Sequence, residues 1–370
     1  MIYRTLGKTG LKVSQLGFGC MRLPMKGDAV DRDLAIPMMH RAIDAGVNYF
    51  DTAVGYLNGD SQRAVGEGLK GRRDRVILST KNHYFGEVEK DWWTNLENSL
   101  KLLQTDHIDI YNTHGIAWKT WEEDVAPRVS KWMTKAKEQG MIRHICTSFH
   151  DDNDALRKVV DTGFYETITL QYNLLDKKLE DGISYARQKG MGVIVMGPVG
   201  GGRLGVTTEV LRNILPKGVS RVPELALKFV LSNPDISIAL SGMSTMDQVE
   251  ENLRVGAEQV TLTAEEKKAI EEQLANLNKA SDLYCSGCGY CKPCPSGVDI
   301  PMVFKVYNEA RVYGMWDHGK NVYQWYRDNE KNAAENCTEC QNCLEKCPQK
   351  IAIPERLKEA HQALLNPPGD

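Results

Sequence analysis

The segment from Asn48 to Tyr56 reads Asn-Tyr-Phe-Asp-Thr-Ala-Val-Gly-Tyr and places an acid and a phenol just after a short apolar run. Tyr49 and Phe50 suit a buried β-strand, and Asp51 comes where that strand should end. A glycine before Tyr56 favours a turn, and apolar residues then recur at helical spacing. The segment predicts a strand, a loop and a helix, with Asp51 and Tyr56 as candidates for proton transfer, since loops at strand ends often carry function. A capping role for Asp51 and a surface position for Tyr56 would explain the same pattern without any function.

The same alternation of a β-rich run and an amphipathic helix continues to about residue 256. Residues 3–5 and 12–14 predict a leading hairpin. The predicted strands are residues 15–19, 48–51, 76–80, 108–112, 144–148, 167–171, 192–196 and 237–241. The predicted helices are residues 33–45, 92–103, 155–161, 181–189, 223–231 and 247–255.

Eight strands with crossover helices over about 250 residues match the size of a (β/α)8 TIM barrel, an α/β fold. A doubly wound open sheet is the alternative, and the absence of Gly-x-Gly-x-x-Gly after an early strand disfavours it. At 370 residues the chain exceeds the usual size of a single domain. We predict a barrel domain over residues 1–260 and a smaller α-helical domain over residues 261–370, which opens with a charged helix at 264–278.

The composition argues against several kinds of partner. The net charge is −3, and no block of like charge occurs, so a nucleic-acid or anionic-membrane surface is not expected. The uncharged run at 191–202 is too short to span a bilayer, and the N-terminus lacks the apolar core of a signal peptide. The sequence predicts a cytoplasmic protein that binds neither nucleic acid nor membrane.

Polar side chains fall at the predicted ends of the strands, where barrel enzymes keep their chemistry. Taken singly, each has an ordinary structural role, such as a solvated lysine, a hydrogen-bonded core histidine or a cap. Their shared position favours a site. These residues are Asp51, Lys81, His114, Ser148 and Gln171.

The residue types suit proton transfer to an oxygen atom. A phenol has an ordinary pKa of about 10, which is too high for a ready acid at neutral pH. Lys81 would lower the pKa of Tyr56 by favouring the phenolate, and Asp51 would hold Lys81 in place. His114 would orient a carbonyl oxygen through a hydrogen bond. Such a site suits protonation of the alkoxide that forms when hydride reaches a carbonyl.

Motifs spread over the barrel resemble those of the aldo-keto reductases. They are Asn-Tyr-Phe-Asp-Thr-Ala-x-Gly-Tyr at 48–56, Ser-Thr-Lys at 79–81, Asp-Ile-Tyr-x2-His at 109–114, Leu-Gln-Tyr-Asn at 170–173 and Ser-Thr-x2-Gln-Val-Glu-Glu-Asn at 244–252. The resemblance covers residues 1–256 and implies NAD(H) or NADP(H) as cofactor and a small carbonyl or alcohol as substrate. It also implies a catalytic tetrad of Asp51, Tyr56, Lys81 and His114, with the tyrosine as general acid.

The resemblance implies contacts to the nicotinamide, and here the sequence departs from the family. Ser148 and Gln171 would bind the carboxamide, but the asparagine that usually follows the serine is missing. Met196 stands where a tyrosine usually stacks on the nicotinamide. Gly197 and the glycines at 200–202 would let the backbone approach a pyrophosphate, although a plain flexible loop would also account for them.

After the eighth strand, a lysine and an arginine commonly grip the 2′-phosphate of NADPH in this family. Aligned on Glu251 and Asn252, those positions are Gly242 and Gln248, which cannot form a charged pair with a phosphate. The remaining donors are two hydroxyl groups next to a helix start, whose amides favour anions. NADH is therefore at least as well supported as NADPH. The two hydroxyl groups belong to Ser244 and Thr245.

Eight of the ten cysteines follow residue 284, in two runs that each end in Cys-Pro. The run at 285–294 has the spacing Cys-x2-Cys-x2-Cys-x2-Cys, and the run at 337–347 has the bacterial ferredoxin spacing Cys-x2-Cys-x2-Cys-x3-Cys. In two-cluster ferredoxins the last cysteine of each run ligates the other cluster. We therefore predict one [4Fe–4S] cluster on Cys285, Cys288, Cys291 and Cys347, and a second on Cys337, Cys340, Cys343 and Cys294.

Disulfide bonds and zinc sites could also use closely spaced cysteines. Disulfides would need an oxidising compartment, which the missing signal peptide argues against. Zinc also uses Cys-x2-Cys spacing, but the triple repeat with a following Cys-Pro, present twice, favours iron–sulfur clusters. Helices predicted at 302–313 and 321–329 separate the two runs. The tail thus resembles the helical two-cluster ferredoxin modules attached to some aldo-keto reductases.

The leading prediction is a nicotinamide-dependent carbonyl reductase or alcohol dehydrogenase with two clusters that transfer electrons to a redox partner protein. One alternative is an electron-transfer protein whose barrel docks a partner or another cofactor. In a further alternative, the clusters are purely structural. Aromatic residues and a histidine after the third and fourth strands either line an apolar substrate site or pack the loops. They are His83, Tyr84, Phe85, Trp118 and Trp121.

Overall fold

The structure is a computed structural model, and it describes residues 1–205, 208–259, 262–279, 285, 289, 291–347 and 350–367. Apolar residues, many of them β-branched, fill its central strands, as the pleated surface favours. The strands are β1 (Tyr3–Thr5), β2 (Lys12–Ser14), β3 (Leu16–Gly19), β4 (Met25–Lys26), β5 (Ala29–Val30), β6 (Tyr49–Asp51), β7 (Ile77–Asn82), β8 (Ile108–Ile116), β9 (Ile142–Phe149), β10 (Thr167–Gln171), β11 (Gly192–Met196) and β12 (Ile238–Gly242).

Strands β3 and β6 to β12 close into a barrel in which every neighbouring pair is parallel. Strands that follow one another along the chain lie side by side, and β12 pairs with β3, with Gly242 opposite Gly19. Strands β1 and β2 form the predicted antiparallel hairpin. Its turn lies so close to the backbone at the start of β11 that no side chain would fit at Gly7. The predicted (β/α)8 TIM barrel is confirmed.

Helices follow the barrel strands and continue into the C-terminal part of the chain. None of the helices that the structure describes is long and apolar enough to cross a membrane. They are α1 (Arg32–Asp44), α2 (Ser61–Gly68), α3 (Glu89–Leu103), α4 (Trp118–Thr120), α5 (Ser130–Glu138), α6 (Asn153–Asp161), α7 (Glu180–Gln188), α8 (Glu209–Arg212), α9 (Val222–Leu231), α10 (Met246–Ala257), α11 (Ala264–Lys279), α12 (Ile300–Tyr313), α13 (Trp316–Trp325) and α14 (Ile353–Leu365).

The element bounds differ from the predictions in a few places. Strands β7, β8 and β9 continue to Asn82, Ile116 and Phe149. Lys81, His114 and Ser148 therefore lie within strands rather than at or beyond their ends. Helices α4, α5, α8 and α14 were not predicted. A π-helical segment, Trp121–Val129, joins α4 to α5, and it contains a proline, which lacks the amide hydrogen that a regular α-helix needs.

The chain divides into two compact units. The first comprises Met1–Leu204 and Pro223–Leu262, and the second comprises Gly205–Val222 and Thr263–Asp370. The second unit thus includes a segment that lies between β11 and α9 in the chain, which the sequence did not predict. Within this unit, the Thr208 hydroxyl caps α8 and donates a hydrogen bond of 2.8 Å to the carbonyl of Tyr313 at the end of α12.

Helices α12, α13 and α14 surround the apolar core of the second unit. Ala334 donates its amide to the hydroxyl of the buried Tyr323, which also hydrogen-bonds to His361 at 2.7 Å. These bonds tie the loop before the second cysteine run to two helices. The buried side chains of this core include Val303, Phe304, Tyr307, Tyr323, Leu357 and Leu364.

Candidate active site

A buried ion pair lies at the centre of the predicted site. Lys81 and Asp51 are only 2% and 3% exposed, and the Lys81 ammonium donates to the Asp51 carboxylate and to the carbonyl of Thr52 at 2.8 Å. The Ser79 hydroxyl donates to the other carboxylate oxygen at 2.7 Å, and the Asn112 amide donates to Ser79. Because every polar group of the pair has a partner, the ammonium is held in one position.

Tyr56 and His114 lie next to this ion pair. The Lys81 ammonium is 5.0 Å from the centre of the Tyr56 ring. The Tyr56 and His114 rings meet edge to face, with their centres 5.9 Å apart. Tyr56 comes from the loop after β6, and His114 from the last part of β8. The structure therefore brings together the four side chains predicted as a tetrad, and their catalytic role stays a prediction.

The surroundings shift the pKa of the phenol and of the ammonium. Burial raises the pKa of Tyr56, and Lys81 lowers it by less, so the pKa lies above its ordinary value. The predicted effect of Lys81 is thus present but outweighed by burial. Burial alone would lower the pKa of Lys81, but Asp51 and Tyr56 together raise it above its usual value. Lys81 is therefore an ammonium at neutral pH.

His114 is neutral at the same pH. Burial lowers its pKa to about 4, and Lys81, His83 and His150 contribute in the same direction. A neutral imidazole keeps one N–H donor and one acceptor nitrogen. His114 can therefore donate a hydrogen bond to a carbonyl oxygen without adding a second positive charge beside Lys81.

His150 is a residue of this region that the sequence did not single out. Its ring contributes to the low pKa of His114, and its Nε2 atom lies 3.4 Å from the Ser148 hydroxyl. Ser148 also accepts a hydrogen bond of 2.9 Å from the amide of Gly115. The sequence could have indicated His150 as a site residue, because it follows the end of the predicted strand 144–148 by two residues.

The residues predicted to meet the nicotinamide sit at neighbouring strand ends. Gln171 ends β10 and Met196 ends β11, and the two are paired across the strands. Both are half-buried. Asn173, which the sequence did not single out as a site residue, donates a hydrogen bond of 3.1 Å to the carbonyl of Gly197. Asn173 thereby holds the start of the glycine-rich loop against the end of β10.

The glycine-rich loop after β11 has a shape that suits close backbone approach. Gly197, Gly200, Gly201 and Gly202 all have positive φ values, which other residues rarely adopt. No atom lies within 4 Å of the position that a Cβ atom would take at Gly201 or Gly202. These two positions are open to an incoming group, which fits the predicted pyrophosphate contact.

The residues around the start of α10 hydrogen-bond mainly to one another. The Ser244 hydroxyl, predicted as a donor to phosphate, instead donates to the carbonyl of Arg22 at 2.7 Å. Thr245 caps the helix by accepting from the Gln248 amide at 3.3 Å, and the Gln248 side chain accepts from the Ser244 amide at 2.7 Å. A Cβ atom at Gly242 would lie 2.9 Å from Cγ of Arg22.

Glu251 and Asn252 lie further along α10. They are 8% and 6% exposed, so neither presents a free side chain to solvent. The Asn252 amide donates a hydrogen bond of 3.0 Å to the hydroxyl of Ser241 in β12. Asn252 therefore fastens the helix to the barrel, and this is a structural role that the sequence pattern does not distinguish from a cofactor contact.

Two of the aromatic residues that follow the fourth barrel strand pack against neighbouring side chains. Trp121 is buried and contacts Phe164 and Tyr165, with ring centres 5.5 and 5.4 Å away. Trp118 lies beneath the ammonium of Lys158. Of the two roles that the sequence left open, loop packing therefore fits Trp121.

Most of the described cysteines of the second unit pack against one apolar core. Cys294 lines a cavity together with Cys337, Cys340 and Cys343. Burial raises the pKa of Cys343, and the neighbouring Cys337, Cys340 and Cys294 raise it further. The last cysteine of the first run therefore lies beside the first three of the second run, as the predicted exchange of ligands requires.

The other predicted ligand set is described in part, because Cys288 lies outside the described residues. Cys285 and Cys291 pack against the core that contains the buried Cys347. Cys291 also lines the cavity beside Cys294. Among the described residues, no three His, Cys, Asp or Glu side chains converge as the ligands of one metal ion would. The donor set consists of thiols, which suits iron–sulfur clusters, and the division into two cubanes stays a prediction.

Comparisons with known proteins agree with both parts of the chain. Residues 15–275 match the model of the Aldo/keto reductase family, and residues 284–352 match the 4Fe-4S dicluster domain. An L-galactose dehydrogenase from Arabidopsis thaliana is 29% identical over 76% of this chain and 98% of its own length. The NADH-specific methylglyoxal reductase of Escherichia coli is 27% identical over 72% of this chain and 98% of its own length.

Solved structures give the same result. An aldo-keto reductase from Bacillus halodurans, in its holo form, is 30% identical and superposes with a TM-score of 0.64, over 74% of this chain and 96% of its own. One from Klebsiella pneumoniae in complex with NADP and acetate is 25% identical, with a TM-score of 0.60 over 73% of this chain and 95% of its own. The chain therefore belongs to the aldo/keto reductase family and carries a C-terminal 4Fe-4S domain.

Proposed function

We propose that the protein reduces a small carbonyl compound, or oxidises the corresponding alcohol, with NADH or NADPH, and that its C-terminal unit carries two [4Fe–4S] clusters for electron transfer. The observation that carries the proposal is the buried Asp51–Lys81 pair beneath Tyr56, with the neutral His114 ring at its edge. The barrel match to oxidoreductases such as the methylglyoxal reductase supports the reaction class.

The nicotinamide supplies or accepts the hydride when bound. Tyr56 donates its phenolic proton to the carbonyl oxygen as negative charge develops there. Burial makes the resulting phenolate costly, and the adjacent ammonium of Lys81 offsets part of that cost. Asp51 keeps the ammonium in place. His114 donates a hydrogen bond to the same oxygen and so orients the substrate.

Ser148 and Gln171 would hold the carboxamide of the cofactor, and Met196 would cover one face of the ring. The open glycines at 201 and 202 would admit the pyrophosphate. The Ser148 hydroxyl accepts from Gly115 and lies 3.4 Å from His150 Nε2, and it would donate its proton to the carboxamide when the cofactor binds. The strand ends and the glycine-rich loop thus supply both polar donors and open backbone for a nicotinamide cofactor.

Replacing Tyr56 by phenylalanine tests the assignment. The general acid is lost while the ring remains, so carbonyl reduction with NADH or NADPH should fall by about 10²- to 10⁴-fold. Cofactor affinity, measured by calorimetry, should stay within about twofold. Full carbonyl reduction by Tyr56→Phe would refute the role of the tetrad.

A second candidate function is structural stabilisation by the clusters. It is favoured by the packing of Cys285, Cys291, Cys294, Cys337 and Cys343 against the core of the second unit. Under this candidate, the clusters stay oxidised even during turnover, when cofactor and substrate are present together, and their removal unfolds the second unit. Reduction of the clusters during turnover would favour electron transfer instead.

A further inference from the structure

Arg22 lies where β12 meets α10, although it belongs to the loop after β3. Strands β3 and β12 are neighbours, and Gly19 pairs with Gly242. The stem of Arg22 lies directly against Gly242, because a Cβ atom at that glycine would be 2.9 Å from Arg22 Cγ and 3.1 Å from Arg22 Cβ. The Ser244 hydroxyl donates to the Arg22 carbonyl at 2.7 Å and fixes its backbone.

Glycine is required at position 242 because the stem of Arg22 lies against it, and not because the backbone there has a conformation that only glycine adopts. Its φ is not positive, so a side chain would cause no backbone strain there. Any side chain would instead collide with the stem of Arg22. The two residues therefore form a matched pair, in which the absence of a side chain at 242 leaves room for the arginine.

The guanidinium of Arg22 is a free positive charge at this edge of the barrel. Arg22 is exposed, and its guanidinium has no hydrogen bond or ion pair to any residue that the structure describes. Guanidinium groups favour phosphate because their planar donors bind two oxygen atoms at once. The neighbouring start of α10, a helix of 12 residues, adds backbone amides that favour the same negative charge, and Asp247 in its first turn is the one acidic residue there that opposes it.

We propose that Arg22 binds the 2′-phosphate of NADPH and thereby replaces the lysine and arginine that are missing at Gly242 and Gln248. The inference rests on the proposed function, because it assumes that a nicotinamide cofactor binds along the ends of the strands. It resolves the choice between cofactors in favour of NADPH. The stem of Arg22 contacts Gly242 from the loop after β3, across the β3–β12 pair.

The two cofactors differ only in the 2′-phosphate, so their affinities isolate the role of Arg22. The experiment measures the dissociation constants of NADP⁺ and NAD⁺ by calorimetry with the full chain prepared anaerobically. The oxidised cofactors are used because they cannot reduce a cluster. Wild type should bind NADP⁺ more tightly than NAD⁺, and Arg22→Gln should weaken NADP⁺ binding by about tenfold or more while leaving NAD⁺ binding unchanged.

Two matched variants complete the design. Arg22→Lys keeps the positive charge and should retain part of the preference for NADP⁺, because lysine also binds phosphate. Lys12→Ala removes one positive charge from the exposed side of β2, in the hairpin at the opposite end of the barrel, and should change neither affinity. Unchanged NAD⁺ binding in Arg22→Gln also serves as the control for folding.

Outcomes that contradict the role of Arg22 differ from the outcome that contradicts the proposed function. Equal weakening of both cofactors in Arg22→Gln would place the arginine at the shared pyrophosphate and overturn the proposal. An unchanged ratio of the two constants would overturn it as well. Failure of wild type to bind either cofactor would instead refute the proposed function, on which the inference depends.

Discussion

At the scale of single residues, the Asp51–Lys81 pair dominates the energetics of the site. Both groups are almost fully buried, and removing one partner of such a pair leaves an uncompensated charge in a region of low dielectric. Breaking a buried pair typically costs about 3–5 kcal/mol, whereas replacing both partners is often nearly neutral. The pair therefore combines a catalytic role with a large effect on stability.

We expect Asp51→Asn to lower the free energy of unfolding of the barrel by about 3–5 kcal/mol, because Lys81 then lacks its anion. The double variant Asp51→Asn/Lys81→Met should be less destabilised than Asp51→Asn alone. Chemical denaturation followed by far-UV circular dichroism measures both. If the effects of the two substitutions on the free energy of unfolding simply add in the double variant, the strong coupling between Asp51 and Lys81 that the geometry implies is contradicted.

The pKa of His114 gives a second prediction at this scale. Burial holds the folded pKa at about 4, below the ordinary 6.5, so the imidazole stays neutral as the pH falls from 7 to about 4. Since the unfolded chain binds this proton first, the group makes stability fall as the pH drops through that window. NMR of ¹³C-labelled histidine should show one resonance titrating near 4, and that resonance should be missing in His114→Gln. A titration near 6.5 for His114 would contradict the prediction.

At the scale of elements, the two cysteine runs are the feature whose connectivity matters most. Cys294 lines the same cavity as Cys337, Cys340 and Cys343, although it ends the first run. Double variants can therefore distinguish two arrangements. In one, each cluster takes its fourth ligand from the other run, and in the other, each cluster takes all four ligands from a single run.

We expect wild type to bind about eight iron atoms, four in each cluster. If the ligands are exchanged, Cys294→Ala and Cys340→Ala affect the same cluster, so their double variant should keep about four irons. Cys291→Ala/Cys294→Ala should lose both clusters. Iron analysis measures this, with Cys146→Ala, an isolated buried cysteine of the barrel, as the control. The reverse pattern of iron loss would show that each run binds its own cluster, and zinc in place of iron would refute both assignments.

At the scale of the whole molecule, the question is how the two-electron reaction proposed for the barrel could exchange electrons with clusters that each accept one electron. A hydride carries two electrons, whereas a cubane usually accepts one. We expect the clusters of the anaerobic protein to stay oxidised when NADPH or NADH is added alone, and to be reduced by dithionite. Visible absorbance follows both steps. Rapid bleaching by NADPH would contradict this expectation and indicate a further cofactor that splits the electron pair.

Much of this protein followed from local sequence patterns. The alternation of strands and helices depends on the periodicity of apolar residues, so the barrel and most element bounds were predictable. Asp51, Tyr56, Lys81 and His114 could be named because strand ends in a barrel meet at one edge. The cysteine spacing specified iron–sulfur chemistry because cluster ligands in a tight loop are close in the chain.

Only the tertiary structure decided the contacts between residues far apart in the chain. Arg22 meets Gly242 because β12 closes the barrel against β3, and no local pattern records that closure. The net pKa of Tyr56 depends on burial by the complete fold, which outweighs the one neighbour that the sequence could name. The segment Gly205–Val222 joins the second unit for the same reason: packing partners are chosen by the three-dimensional arrangement, whereas the sequence orders residues only along the chain.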